Sequence, residues 1–215
     1  MEGNNLNKFN ISLICNNCLG GRFYKIHEFE FNNPFMWNLI EPHEFVRLIK
    51  NFDKINLGCT KFEIIEKNKK QYVNAVIGYN INLNYIHYIY DETKPTLIKI
   101  APDILGKDIL QYVVSKYFER LLRMPKEHIF LFTPSQFSSE EHFINANGDN
   151  LLNELNELGK KNNIIVILDS KHKLTYVPNF KVIYEDNLYG KNPAELLYHK
   201  GNELDKKLCT YIFND

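Results

Sequence analysis

The sequence predicts an α/β fold with a mixed, largely parallel sheet, an antiparallel hairpin, and helices on both faces. Short apolar runs typical of strands alternate with longer segments whose apolar residues recur at helical spacing. The run 164–168, IIVIL, has no polar position, which is typical of a parallel strand buried on both faces. The runs 60–66 and 72–78 are joined by a short polar segment, which indicates the hairpin.

In the first half of the chain, residues 9–15 form an apolar run that ends at the segment Asn16 to Gly21. This pattern predicts a strand, a tight loop and then a helix or turn. Residues 42–53 predict an amphipathic helix with Pro42 at its first position. Residues 83–90 alternate polar and aromatic side chains and predict a third strand after the hairpin.

The second half continues the alternation of helices and strands. The predicted helices are 104–124, 150–161 and 194–198, and the first of them ends before Pro125. The predicted strands are 128–133, 164–168 and 180–184. Residues 208–213 suit either a strand or a helix. The polar segment 135–150 is expected to be a mobile loop. No repeat or linker divides the chain, so residues 1–215 are expected to form a single domain.

Composition excludes several classes of protein. The chain is 44% hydrophobic, which suits a packed core, and its 26 basic and 26 acidic residues leave no net field to attract nucleic acid. No apolar run is long enough to be a transmembrane segment, and the polar start lacks the features of a secretion signal. The four cysteines are too few and too unevenly spaced for a disulfide framework. A cytoplasmic protein without a transmembrane segment is therefore expected.

The turn from Asn16 to Gly21 is the first candidate site. A loop that leaves a strand and enters a helix presents backbone N–H groups to a ligand, which suits a phosphate or pyrophosphate. Asn16 and Asn17 would line this site, Gly20 and Gly21 would let the ligand approach the backbone, and Arg22 could add positive charge. The alternative is a plain strand-to-helix turn.

Cys18 and His87 are the candidate catalytic residues. The start of a helix lowers a thiol's pKa, and His87, at the end of a predicted strand, is the natural base. The alternative is that both are ordinary buried residues. Cys15 and Cys18 also form a C-x-x-C pair, but neither the other cysteines nor the histidines show a recognised ligand spacing, so no metal site is predicted.

Arg120 and Arg123 lie three residues apart on a predicted helix, where they share a face and could clamp an anionic substrate. They could equally be solvated charges. Tyr88 is a candidate for stacking on a sugar, although such aromatic residues more often belong to the core. No phosphate-binding, dinucleotide-binding or nucleophile-elbow motif is present, so the sequence leaves the cofactor unknown.

Three stretches carry a resemblance to a known family: Asn16-Asn17-Cys18-Leu19-Gly20-Gly21 with Asn33-Pro34, Tyr85-Ile86-His87-Tyr88, and the helix from Tyr117 to Met124. The chain resembles a bacterial family of unknown function linked to exopolysaccharide biosynthesis, some of whose members are described as acetyltransferases. The resemblance covers about 9–133, and 134–215 is diverged. Asn33 departs from the family's usual Ser, Cys15 from a frequent Ser, and Tyr117 from its usual Trp.

The resemblance implies a transferase that acts on a glycan precursor or sugar phosphate during exopolysaccharide or capsule assembly. In this hypothesis the expected partner is a small molecule or glycan precursor. Two alternatives stay open: a hydrolase that uses Cys18 and His87, and a non-catalytic binding or regulatory protein on the same scaffold.

Overall fold

The structure is a computed structural model that describes residues 10–67, 70–91 and 109–213; for residues 66, 67, 70–72, 86–91, 109, 193 and 194 it describes the backbone alone. The strands are β1 Ile11–Cys15, β2 Lys61–Lys67, β3 Lys70–Ile77, β4 Ile81–Asp91, β5 Glu127–Phe132, β6 Ile164–Asp169 and β7 Lys181–Glu185. The helices are α1 Leu19–Ile26, α2 Pro42–Asn51, α3 Ile109–Leu122, α4 Glu140–Asn145, α5 Gly148–Gly159, α6 Pro193–Leu196 and α7 Glu203–Phe213.

The strands form two sheets. Four of them form a parallel sheet in the order β1-β5-β6-β7, and the other three form an antiparallel sheet in the order β2-β3-β4. The α/β class is thus confirmed. The expected single mixed sheet is replaced by two, because β2, β3 and β4 pair only with one another in the ladders between described strands.

Side chains of the parallel sheet alternate between two apolar cores. On one face, Ile14, Phe130 and Val166 pack with residues of α2, α5 and the antiparallel sheet. On the other face, Leu13 and Ile165 pack with residues of α1, α6 and α7. Helices therefore cover both faces, as the sequence predicts.

Most element boundaries agree with the predictions to within a few residues. The segment 135–150, expected to be a loop, contains α4, which begins after Ser139, whose hydroxyl accepts a hydrogen bond from the His142 N–H at 3.1 Å. Residues 208–213 belong to α7, because Leu204, Leu208 and Ile212 recur every four residues along its buried face. Residues 104–108 of the predicted third helix lie outside the described residues.

Because its strands are parallel, the sheet has one edge where all four strands end. This carboxyl edge carries the segments that follow Cys15, Phe132, Asp169 and Glu185. Ligand sites of open α/β sheets lie at such edges. Among the described residues, no helix has the length and apolar character needed to cross a membrane.

Candidate functional site

Asn16 and Asn17 lie at the carboxyl edge, but their side chains mainly hold the fold together. The Asn16 amide bridges to the next strand, since its Nδ2 donates to the Thr133 carbonyl at 3.1 Å and its Oδ1 accepts from the Thr133 N–H at 3.0 Å. The Asn17 Oδ1 accepts at 3.0 Å from the N–H of Leu19, the first residue of α1, and so fixes the turn that leads into the helix. Both side chains are buried.

Gly20 and Gly21 allow close packing of α1. A Cβ at Gly20 would lie 3.0 Å from the Cys15 Cβ, and a Cβ at Gly21 would lie 2.8 Å from the Trp37 ring. The turn also packs against the buried Cys15 side chain, whose thiol donates to Asn17 Oδ1 at 3.5 Å. These contacts give both glycines a packing role, which is the plain-turn alternative for this segment.

Cys18 is 3% exposed. Burial, with a smaller contribution from Cys15, raises the pKa of the Cys18 thiol to about 12. The expectation of a lowered thiol pKa was therefore wrong, because the loss of hydration outweighs the favourable position at the start of a helix.

His87 and Tyr88 belong to β4, a strand of the antiparallel sheet. Their side chains lie outside the described residues. Cys18 follows β1 of the parallel sheet, so the two candidate catalytic residues come from different sheets. The rule that strand ends of one sheet converge on a ligand therefore does not apply to this pair.

The Arg22 side chain makes hydrogen bonds to backbone carbonyls of this chain. Its Nε donates to the Leu197 carbonyl at 2.6 Å, and its Nη2 donates to the Tyr198 carbonyl at 2.5 Å. These carbonyls belong to the two residues after α6, so the guanidinium attaches the end of that short helix to α1.

Arg120 and Arg123 lie at the opposite edge of the parallel sheet. The guanidinium carbon of Arg120 is 5.2 Å from the centre of the Phe31 ring, and Arg123 pairs with Glu30 and Glu119. The neighbouring Asn32 side chain donates to the carbonyl of Ile11, the first residue of β1. Five strand residues, about 13 Å, therefore separate this region from the turn that contains Cys18.

The carboxyl edge does contain a cavity, which lies between the loop after β6 and the start of α5. Its volume is about 340 Å³, within the range of small-molecule sites. Its wall consists of Asp149, Leu152, Asn153, His172, Lys173, Leu174, Thr175 and Tyr176. Sequence reasoning treated His172 as an ordinary histidine and did not single out the other residues of this wall.

His172 is the titratable group best placed for chemistry in this cavity. Its Nδ1 lies 2.9 Å from Glu140 Oε1, although the two atoms are not aligned for a hydrogen bond. Its Nε2 lies 3.8 Å from Asp149 Oδ1. The ring thus has a carboxylate oxygen near each of its two nitrogens.

The surroundings of the cavity are acidic. Burial raises the pKa of the Tyr189 hydroxyl, and the carboxylates of Glu140, Asp169 and Asp149 raise it further. Burial and Asp149 likewise raise the pKa of Tyr176. These tyrosines therefore stay neutral near neutral pH, and the wall itself carries both Asp149 and Lys173.

A group of buried polar atoms lies near the ends of β1 and β5. The side chain of Asn38, the Nδ2 of Asn17 and the Oγ of Ser135 have no hydrogen-bond partner among the described residues. The Ile40 N–H, two residues after Asn38, donates to the Asn16 carbonyl, which places this segment beside β1. Sequence reasoning missed Asn38 and Ser135, because an isolated Asn or Ser in a loop carries no distinctive pattern.

A separate cluster, on the face of the parallel sheet that α1 and α7 cover, consists of His27, Asp205 and Cys209. Its donor atoms lie within 4.8 Å of one another, so it could hold a metal ion. The spacing of Asp205 and Cys209, four residues apart on a helix, was the one signal in the sequence that could have revealed it.

The comparisons with known proteins give a family match for the first part of the chain. The chain matches no curated protein. The resemblance to a family of unknown function is supported for the first part of the chain, while its link to exopolysaccharide biosynthesis stays a prediction. Residues 1–95, which include β1, α1, α2 and the antiparallel sheet, match a family described as a domain of unknown function (DUF1919).

Proposed function

We propose that the protein is a cytosolic transferase that acts on a glycan precursor, with the acceptor sugar bound in the cavity beside His172. The observation that carries this proposal is the combination of a cavity of about 340 Å³ with an imidazole between two carboxylates at the carboxyl edge of a parallel sheet.

The chemistry of the wall suits a hydroxyl-rich, uncharged ligand. Asp149, Asn153 and Thr175 offer polar side chains for sugar hydroxyls, and Tyr176 offers an aromatic face. His172 is the base that takes a proton from the acceptor hydroxyl, and Glu140 stabilises the imidazolium that forms.

The proposed role in exopolysaccharide biosynthesis is supported by the sequence alone. The segment Asn16-Asn17-Cys18-Leu19-Gly20-Gly21 is similar to the opening of a family linked to exopolysaccharide biosynthesis. The cavity comes from residues beyond that segment, so the proposal joins a pathway suggested by the first part of the chain to a site in the second.

Saturation-transfer NMR with neutral hexoses, N-acetylhexosamines and their 1-phosphates tests the binding step. We expect the neutral sugars to give signals that weaken in Asp149→Asn and in Tyr176→Ala. Turnover is then tested by mass spectrometry with nucleotide-sugar and acyl-coenzyme donors. His172→Gln should lower the rate by a factor of about 10² to 10⁴.

His199→Gln is the matched control, since His199 is exposed and lies on a different segment. It should leave binding and turnover unchanged. Absence of binding by every sugar would refute the site. Binding without transfer from any donor would refute the transferase and leave a glycan-binding protein.

A further inference from the structure

Three side chains of types that can bind a metal ion lie together on the face of the parallel sheet opposite to α2 and α5. His27 follows the last residue of α1, while Asp205 and Cys209 lie one turn apart on α7. The His27 and Asp205 side chains are 8% and 3% exposed, and Cys209 is partly exposed. The cluster is thus buried on one side and open to solvent on the other.

The geometry differs from that of a catalytic Cys-His-Asp relay. In a relay the thiol and the carboxylate contact opposite nitrogens of the imidazole, so that a proton passes through the ring. Here Asp205 Oδ1 lies 2.7 Å from His27 Nε2, and Cys209 Sγ lies 3.6 Å from that same nitrogen. Three donor atoms that converge on one point form a chelating arrangement.

The distances fit a tetrahedral ion with one adjustment. Typical zinc bond lengths place pairs of ligand atoms about 3.4 to 3.6 Å apart. The sulfur lies 3.6 Å from the nitrogen and 3.8 Å from the Asp205 oxygen. The nitrogen and oxygen, at 2.7 Å, share a hydrogen bond and would separate by about 0.7 Å when an ion replaces the proton between them.

Neighbouring groups already hold these ligands in place. The second Asp205 oxygen accepts from the Gly201 N–H at 2.7 Å, and the Asp205 N–H donates to Asn202 Oδ1 at 2.8 Å. The His27 ring packs against the rings of Phe23 and Phe29. Such support is typical of metal ligands, whose orientation is fixed by their surroundings.

We propose that His27, Asp205 and Cys209 bind one zinc ion, with a water molecule as the fourth ligand. No further His, Cys, Asp or Glu joins these three among the described residues, which leaves the fourth position to solvent. A thiolate and an imidazole favour zinc over magnesium or calcium. The ion would tie α7, near the end of the chain, to α1 in the segment that matches the family.

Cobalt substitution tests the site, because a thiolate bound to Co²⁺ gives a charge-transfer absorption. We expect the purified chain to bind one Co²⁺ with this absorption, and Zn²⁺ to displace it. Cys209→Ser should abolish the absorption. Cys59→Ser is the matched control, since Cys59 is exposed and lies outside the cluster, and this variant should keep it.

A second measurement needs no variant. Zn²⁺ should slow the alkylation of Cys209 in the wild-type chain at least tenfold and leave that of Cys59 unchanged. The proposal is overturned if the wild-type chain shows no thiolate absorption with excess Co²⁺, if Cys209→Ser keeps that absorption, or if Zn²⁺ does not protect Cys209.

Discussion

The reactivity of Cys18 separates the functional alternatives, and its magnitude can be worked out from the structure. The pKa of this thiol rises from a usual value of 9.0 to about 12. At pH 8 the fraction present as thiolate is therefore about 10³ lower than for an unperturbed thiol. A more basic thiolate is intrinsically more nucleophilic, so over three pKa units the rate constant of the thiolate itself rises by a factor of about 16 to 32.

The net expectation is alkylation about 30 to 60 times slower than in the unfolded chain. Restricted access slows the reaction further, because Cys18 is 3% exposed. Iodoacetamide labelling at pH 8, followed by peptide mass spectrometry, measures this rate in buffer and in urea. The exposed Cys59 reports in the same sample that the reagent is active.

A native labelling rate for Cys18 within a factor of three of the unfolded rate would refute this reasoning. It would mean that the thiol is reachable and that its pKa is not raised. Labelling faster than in the unfolded chain would show an activated thiol and make the cysteine-dependent hydrolase the leading hypothesis. Slow labelling would remove that hypothesis and leave the cavity beside His172 as the candidate site.

Three further predictions concern stability, each measured as the free energy of unfolding. Asn38→Leu keeps the branching of the side chain and removes two unpartnered buried atoms, so it should stabilise the protein by about 1 to 2 kcal/mol. Asn33→Leu breaks the hydrogen bond from the Phe35 N–H and should destabilise the protein by at least as much. Equal losses of stability in the two variants would contradict the conclusion that the Asn38 side chain has no hydrogen-bond partner. Gly21→Ala should lower the free energy of unfolding by about 1 to 3 kcal/mol, because the added Cβ meets the Trp37 ring. Adding Trp37→Leu should recover part of that loss. A Gly21→Ala variant with unchanged stability would show that α1 can shift. Burial raises the pKa values of Cys15, Cys18 and Tyr117 to about 11, 12 and 12, so these groups ionise first in the unfolded chain. Their contribution to the free energy of unfolding should be fully present below about pH 8 and be lost between about pH 9 and 12. A free energy of unfolding that stays flat over this range would contradict those shifts.

The sequence by itself determined the fold class and most of the helices and strands. The run IIVIL is typical of a strand buried on both faces, and in the structure every residue of β6 is buried. Pro42 and the apolar spacing after it fixed the start of α2 to the residue. These features depend on short-range periodicity and backbone chemistry, which a single sequence displays directly.

Tertiary structure decided which residues meet. The turn from Asn16 to Gly21 has the residue types of a ligand loop, yet Gly21 packs against Trp37 and Asn16 bonds to Thr133, a partner 117 positions away. His172 becomes a candidate base because Glu140 lies 2.9 Å from it. His27 joins Asp205 and Cys209 because α1 and α7 share a face of the parallel sheet.

The physical reason is the range of the interactions involved. Helix and strand formation depends on neighbours within a few residues, whereas the pKa of Cys18 and the chelating cluster depend on burial and on contacts between distant segments. Those contacts are fixed only when the strands take their order in the sheet. The sequence thus set what kinds of chemistry this chain carries, and the fold set where they come together.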